Sequence, residues 1–122
     1  MPHLILEYSS NLPDFDTAEA LAAMNHALAK TGHFQLPTIK SRAYRVTDYV
    51  VADGSGGATI GFAALRLHTR LEDPAAKTGV SNMLLSLMKD HIPPLPVGET
   101  QYTVDIMKID ERCYAKDVIT RG

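Results

Sequence analysis

A single cysteine, Cys113, stands among the 122 residues, so no disulfide can close within the chain and a reducing compartment, the cytoplasm, is the expected setting. No two lysines or arginines are adjacent, and the formal net charge is −2, which argues against a nucleic-acid partner. No apolar run approaches the roughly 18 residues that a membrane span needs. The first residues also lack the charged and apolar regions of a secretory signal, so no membrane partner is expected. The five histidines, His3, His26, His33, His68 and His91, show no paired ligand spacing; neither a metal nor any other cofactor is expected. Asp53-Gly54-Ser55-Gly56-Gly57 is rich in glycine, but no Lys-Ser/Thr pair or helix start follows it. It reads as a turn, not as a phosphate cradle.

What is present points to one globular domain spanning residues 1–122: 45% of the residues are hydrophobic and 21% charged. At its start, Leu4, Ile5 and Leu6, closed by Glu7-Tyr8-Ser9, read as a short strand buried on both faces. Pro2 precedes it. With Met1 removed, as a small second residue such as proline permits, Pro2 presents a secondary amine held at the edge of the core. That is a candidate general base. With Met1 attached the nitrogen is an amide and cannot act as one.

The rest of the chain alternates. Asp16-Thr17-Ala18-Glu19 has the form of a capping box, Leu21, Met24, Ala27 and Leu28 follow at helical spacing, and Gly32 supplies a left-handed stop. Residues 39–51 then read as strand, with Lys40, Arg42, Tyr44 and Val46 on one face and Ser41, Ala43, Arg45 and Thr47 on the other. A second unit starts with a strand over 59–69. Asp73 caps a helix that has Pro74 at its first position, Val80, Met83, Leu84, Leu87 and Met88 form its stripe, and Pro93-Pro94 end it. Residues 101–109 form the last strand. The tail from Asp110 onward carries no periodic signal.

Two strand–helix–strand units thus repeat, over about residues 1–52 and 58–110, with a short tail over 111–122. They predict an α+β, two-layer domain: a four-stranded mixed sheet with both helices on one face and parallel strands within each unit. The uncovered face is expected to carry Leu, Val, Ile and Ala and to be buried by oligomerisation. A ferredoxin-like arrangement has units of the same type, and periodicity does not separate the two.

The run Pro2-His3-Leu4-Ile5-Leu6-Glu7-Tyr8-Ser9-Ser10-Asn11-Leu12 resembles the N-terminal signature of the 5-carboxymethyl-2-hydroxymuconate isomerases of the tautomerase superfamily. The resemblance continues through Thr31-Gly32-His33-Phe34, Ile39-Lys40-Ser41-Arg42 and Val51-Ala52-Asp53-Gly54, and more loosely through Met83-Leu84-Leu85 and Lys89. It implies a fold like that of macrophage migration inhibitory factor, assembled as a homotrimer with active sites near subunit boundaries. It implies an isomerase acting on 5-carboxymethyl-2-hydroxymuconate, a small carboxylate-rich 2-hydroxy acid of homoprotocatechuate breakdown, with Pro2 as general base. Arg70, at the end of the third strand, corresponds to the superfamily's substrate-binding arginine.

Lys40 and Arg42 share a strand face suited to a second carboxylate. Family members carry arginine where Lys40 stands, and lysine lacks the bidentate fork, so Arg42 is preferred. Glu7 is expected to pair with a cation or an amide across an interface, Arg45 and Arg66 to be surface or intersubunit charges, and His3 to be structural, facing away from Leu4. Phe34 and Tyr44 are candidates for an apolar wall or for core. A tautomerase for another 2-keto acid and a non-catalytic oligomeric binding protein remain open alternatives.

Overall fold

A computed structural model describes residues 2–122. Strand β1 (His3–Ser9) is followed by helix α1 (Thr17–Lys30), strand β2 (Lys40–Val46), strand β3 (Ile60–Thr69), helix α2 (Pro74–His91) and strand β4 (Glu99–Lys108). Short 3-10 turns occupy Leu36–Thr38, Gly57–Thr59 and Glu111–Cys113.

The helix starts follow from their caps. The Asp16 carboxylate accepts from the Glu19 amide at 3.0 Å, and that of Asp73 from the Ala76 amide at 2.9 Å, each satisfying a donor with no partner inside the helix. Gly32 closes α1 with φ of +83°, a backbone conformation that side chains with a Cβ rarely adopt.

The strands form one sheet in the order β2-β1-β3-β4. Within each unit the strands are direct neighbours and parallel, β1 with β2 and β3 with β4, while β1 and β3 join the units antiparallel. This neighbour relation is what periodicity left undecided, and it gives the mixed sheet. The register brings Leu4, Leu6, Ala63, Leu65 and Leu67 to one face, fully buried against Met24 and Leu28 of α1 and Val80, Leu84 and Met88 of α2.

The opposite face departs from expectation. It carries His3, Ile5 and Glu7 from β1, Lys40, Arg42 and Tyr44 from β2, Phe62, Ala64, Arg66 and His68 from β3, and Gln101, Thr103, Asp105 and Met107 from β4. Strict alternation sends nearly all the Leu and Val to the helices and leaves this face mostly polar. Accordingly β1 is fully buried on one face only; His3, Ile5 and Glu7 are half-buried. Strand β2 also ends earlier than the pattern suggests, at Val46 rather than residue 51, because the carbonyl of Val46 accepts from Ser10 where β1 itself turns away.

Candidate active site

Pro2 lies at the end of β1, buried, its carbonyl accepting from the Lys40 amide at 3.1 Å. That bond extends the β1–β2 ladder by one residue and fixes the prolyl ring relative to the sheet. Met1, whose removal the base reading requires, lies outside the described residues.

The ring forms part of a cleft of about 430 Å³. One wall is the segment after α1, with His33, buried Phe34, Gln35 and Thr38; the other is the end of β3, with Thr69, Arg70 and Leu71. Thr69 holds that second wall in place. Its carbonyl accepts from the Ile109 amide at 2.8 Å and its hydroxyl from the Leu71 amide at 3.2 Å, so the backbone on both sides of Arg70 is tied down. The cleft therefore combines a buried proline, an apolar wall and one guanidinium whose side chain is 45% exposed. Such a site suits a planar, anionic ligand.

Of the residues singled out in the sequence, Pro2 and Arg70 come together here, and Phe34 serves both as core and as wall. Lys40 and Arg42 do not line the cleft of this chain. Both are exposed on the open sheet face, where Lys40 donates to the Thr38 carbonyl and Arg42 approaches His3. Tyr44 is 53% exposed on the same face and belongs neither to the wall nor to the core. Glu7 pairs with Arg66 on the neighbouring strand of the same chain, and Arg45 donates to the Ser10 carbonyl at 3.2 Å. His3 faces away from Leu4, as alternation requires.

Two residues of the tail escaped the sequence reading. The Glu111 carboxylate lies 3.6 Å from Nε of Arg70, and the Tyr114 hydroxyl lies 3.4 Å from Nε2 of His3. Neither belongs to a periodic element, so no local pattern marks them.

A second cleft of about 450 Å³ is lined by Glu72, Lys108, Asp110, Glu111 and Arg112. Its charges are largely committed to one another. Lys108 pairs with Glu72, which holds the Glu72 carboxyl below its usual range and raises the lysine; Arg112 pairs with Asp110 at 3.0 Å, which lowers the Asp110 carboxyl. It offers neither an apolar wall nor a base, and the Pro2 cleft is the better site. Among the described residues no group of three or more His, Cys, Asp or Glu converges as a metal site would require, and no helix is long and apolar enough to cross a membrane.

Comparisons with known proteins bear on the family and the fold. The family model for 5-carboxymethyl-2-hydroxymuconate isomerase matches residues 2–118. A 5-carboxymethyl-2-hydroxymuconate Delta-isomerase from Escherichia coli is 31% identical over 99 residues, covering 78% of this chain and 75% of the relative. The crystal structure of a 5-carboxymethyl-2-hydroxymuconate isomerase from Deinococcus radiodurans R1 superposes with a TM-score of 0.84 at 30% identity, covering 95% of this chain and 88% of the other. At 10% identity, a macrophage migration inhibitory factor-like protein from Entamoeba histolytica shares the fold, with a TM-score of 0.62 and 95% of each chain covered.

Proposed function

We propose, because the chain belongs to the 5-carboxymethyl-2-hydroxymuconate isomerase family, that it moves a proton within 5-carboxymethyl-2-hydroxymuconate in aromatic-compound breakdown, with Pro2 as the base once Met1 is gone. The observation that carries the reading is the sharing of one cleft by a buried proline and Arg70.

The chemistry follows from those two groups. The neutral Pro2 nitrogen takes a proton from one end of the conjugated acid, and the electron pair left behind spreads through the conjugated system as a dienolate. The prolinium then returns a proton at the other end. Charge and atoms balance without a cofactor. Arg70 binds a substrate carboxylate and stabilises the developing anion, and the apolar wall at Phe34 strengthens that attraction by excluding water. Burial and a nearby guanidinium both disfavour a charged amine, so Pro2 is neutral at working pH. An ascending limb in the pH profile of kcat/KM between about pH 5 and 9 is the expected signature.

Lys40 and Arg42 enter this scheme from a neighbouring copy. The chain assembles as a homotrimer, in which residues on one copy's open face can approach another's cleft. Support for this comes from the half-buried Ile5, Phe62 and Ala64 on the open face and from the exposed Met107 of the same face, opposite His68. Light scattering on the purified protein measures the assembly; a monomer at micromolar concentration excludes it.

The lysine at position 40, where the family resemblance implies arginine, favours a second reading with the same base: tautomerisation of a different 2-keto acid. The deciding experiment uses protein whose mass confirms loss of Met1 and follows 5-carboxymethyl-2-hydroxymuconate by ultraviolet absorbance beside Pro2→Ala. Rapid conversion that collapses in the variant supports the scheme. Full activity in Pro2→Ala removes the base, and inactivity of both proteins on this acid, with turnover of another keto acid, selects the second reading.

A further inference from the structure

Among the described residues lining the Pro2 cleft, Arg70 carries the permanent positive charge, and its contacts decide which edge of its guanidinium a ligand meets. We infer that Glu111 is a positioning residue for Arg70: its carboxylate forms an ion pair on the Nε side, at 3.6 Å, and so biases the terminal edge of the fork toward the cleft, ready for end-on, bidentate binding of a substrate carboxylate. This rests on the proposed reading of the cleft.

The surrounding charges favour this pairing. Arg112 is held by Asp110, Nε at 3.1 Å from one carboxylate oxygen and Nη2 at 3.0 Å from the other, and Lys108 is held by Glu72. The two cations lining Glu111's cleft are therefore occupied, and Arg70, outside that lining, is its partner, at 3.6 Å. Backbone geometry reinforces the arrangement. Glu111 opens the 3-10 turn Glu111–Cys113, whose start is capped by the Asp110 carboxylate accepting from the Arg112 amide at 3.0 Å. The preceding Ile109 donates to Thr69, the residue before Arg70. Both ends of the ion pair thus spring from segments joined by a main-chain hydrogen bond.

A guanidinium has one N–H on Nε and four on its two terminal nitrogens, so a carboxylate on the Nε side leaves the terminal pair free for a second carboxylate. Glu111 also adds negative charge near an anionic ligand, which acts in the opposite sense. The amide variant separates the two effects, because Gln keeps an acceptor for Nε and loses the charge.

The test compares Met1-free wild type, Glu111→Gln, Glu111→Ala and Arg70→Ala. Two readouts are used: turnover of 5-carboxymethyl-2-hydroxymuconate, and calorimetric titration with the unreactive dicarboxylate glutarate. Circular dichroism verifies the fold. Positioning predicts that Glu111→Ala raises both KM and the glutarate Kd about two- to fivefold, the scale of an exposed ion pair, with kcat little changed. Glu111→Gln restores values near wild type, and Arg70→Ala abolishes glutarate binding. Unchanged or tighter binding in Glu111→Ala, or equal losses in the Ala and Gln variants, overturns the inference while leaving the function intact. A wild type that neither turns over the acid nor binds glutarate overturns the reading of the cleft and this inference with it.

Discussion

Nη1 of Arg42 lies 3.4 Å from Nδ1 of His3, across the parallel pairing of β1 and β2. A guanidinium can only donate, so this contact leaves Nδ1 unprotonated and places the imidazole proton on Nε2, which faces the Tyr114 hydroxyl at 3.4 Å. A second proton on the ring would set an N–H against the guanidinium. Burial first, then the charges of Lys40, Arg42 and His68, accordingly hold His3 below the ordinary 6.5.

Stability should therefore respond to acid. The folded chain takes up the His3 proton less readily than the unfolded one, whose histidine titrates near 6.5. The contribution is intact above that value, begins to be lost as pH drops below it, and is fully lost below the folded pKa. The imidazole resonances of His3 are expected to titrate below the ordinary 6.5, and to move upward in Arg42→Ala. A His3 that titrates at or above the ordinary 6.5 contradicts the contact.

Arg70 should be far more sensitive than Glu111. Removing a charge-assisted hydrogen-bonding group from the proposed site costs about 1.5–3 kcal/mol, or roughly 10- to 100-fold in kcat/KM for Arg70→Ala. Arg70→Lys keeps the charge without the fork and falls between. Steady-state kinetics on the carboxylate substrate decides; equal activity in Arg70→Lys and wild type argues against bidentate binding.

Leu6 is wholly buried between the sheet and the helices. Leu6→Ala is expected to lose about 2–5 kcal/mol, the range for a large-to-small change in a packed core. Urea denaturation at fixed protein concentration measures it. A loss under about 1 kcal/mol means that this face is not the tightly packed one.

Two glycines should respond with opposite signs. Gly98 has φ of +105°, and a Cβ there would fall 2.0 Å from the Thr59 carbonyl oxygen, at the entry to β4. Gly98→Ala therefore combines backbone strain with overlap against main chain and is expected to destabilise by about 3 kcal/mol or more. Gly79 lies inside α2 with nothing within 4 Å of the same position, so Gly79→Ala should stabilise by about 0.5–1 kcal/mol through helix propensity. Thermal denaturation of the two variants is the check, and a stabilised Gly98→Ala would rule out the close approach of Thr59.

Much of the architecture was legible in the linear chain because it rests on local physics. Asp16 and Asp73 announce helix starts by offering oxygens to unsatisfied amides, Gly32 ends a helix through its positive φ, and the alternation of Leu4, Leu6, Leu65 and Leu67 marks the buried face. The resemblance carried by Pro2 to Leu12 supplied the family, and Pro2 and Arg70 do share a cleft. Other features needed the folded chain. Whether β1 lies beside β2 or elsewhere depends on which strands meet during packing, a choice that hydrophobic period does not encode. The same holds for the polar character of the open face, since it emerges only once register aligns one residue in two across four strands. Lys40 and Arg42 could be placed on one strand face from their spacing, but not on the side away from the Pro2 cleft. Glu111 and Tyr114 reach Arg70 and His3 from a tail without period or cap signal to connect them in sequence. Short-range backbone satisfaction and side-chain alternation were determined by the sequence alone; the meeting of distant charges was decided by tertiary structure, because such pairs have no energetic expression until the sheet brings them together.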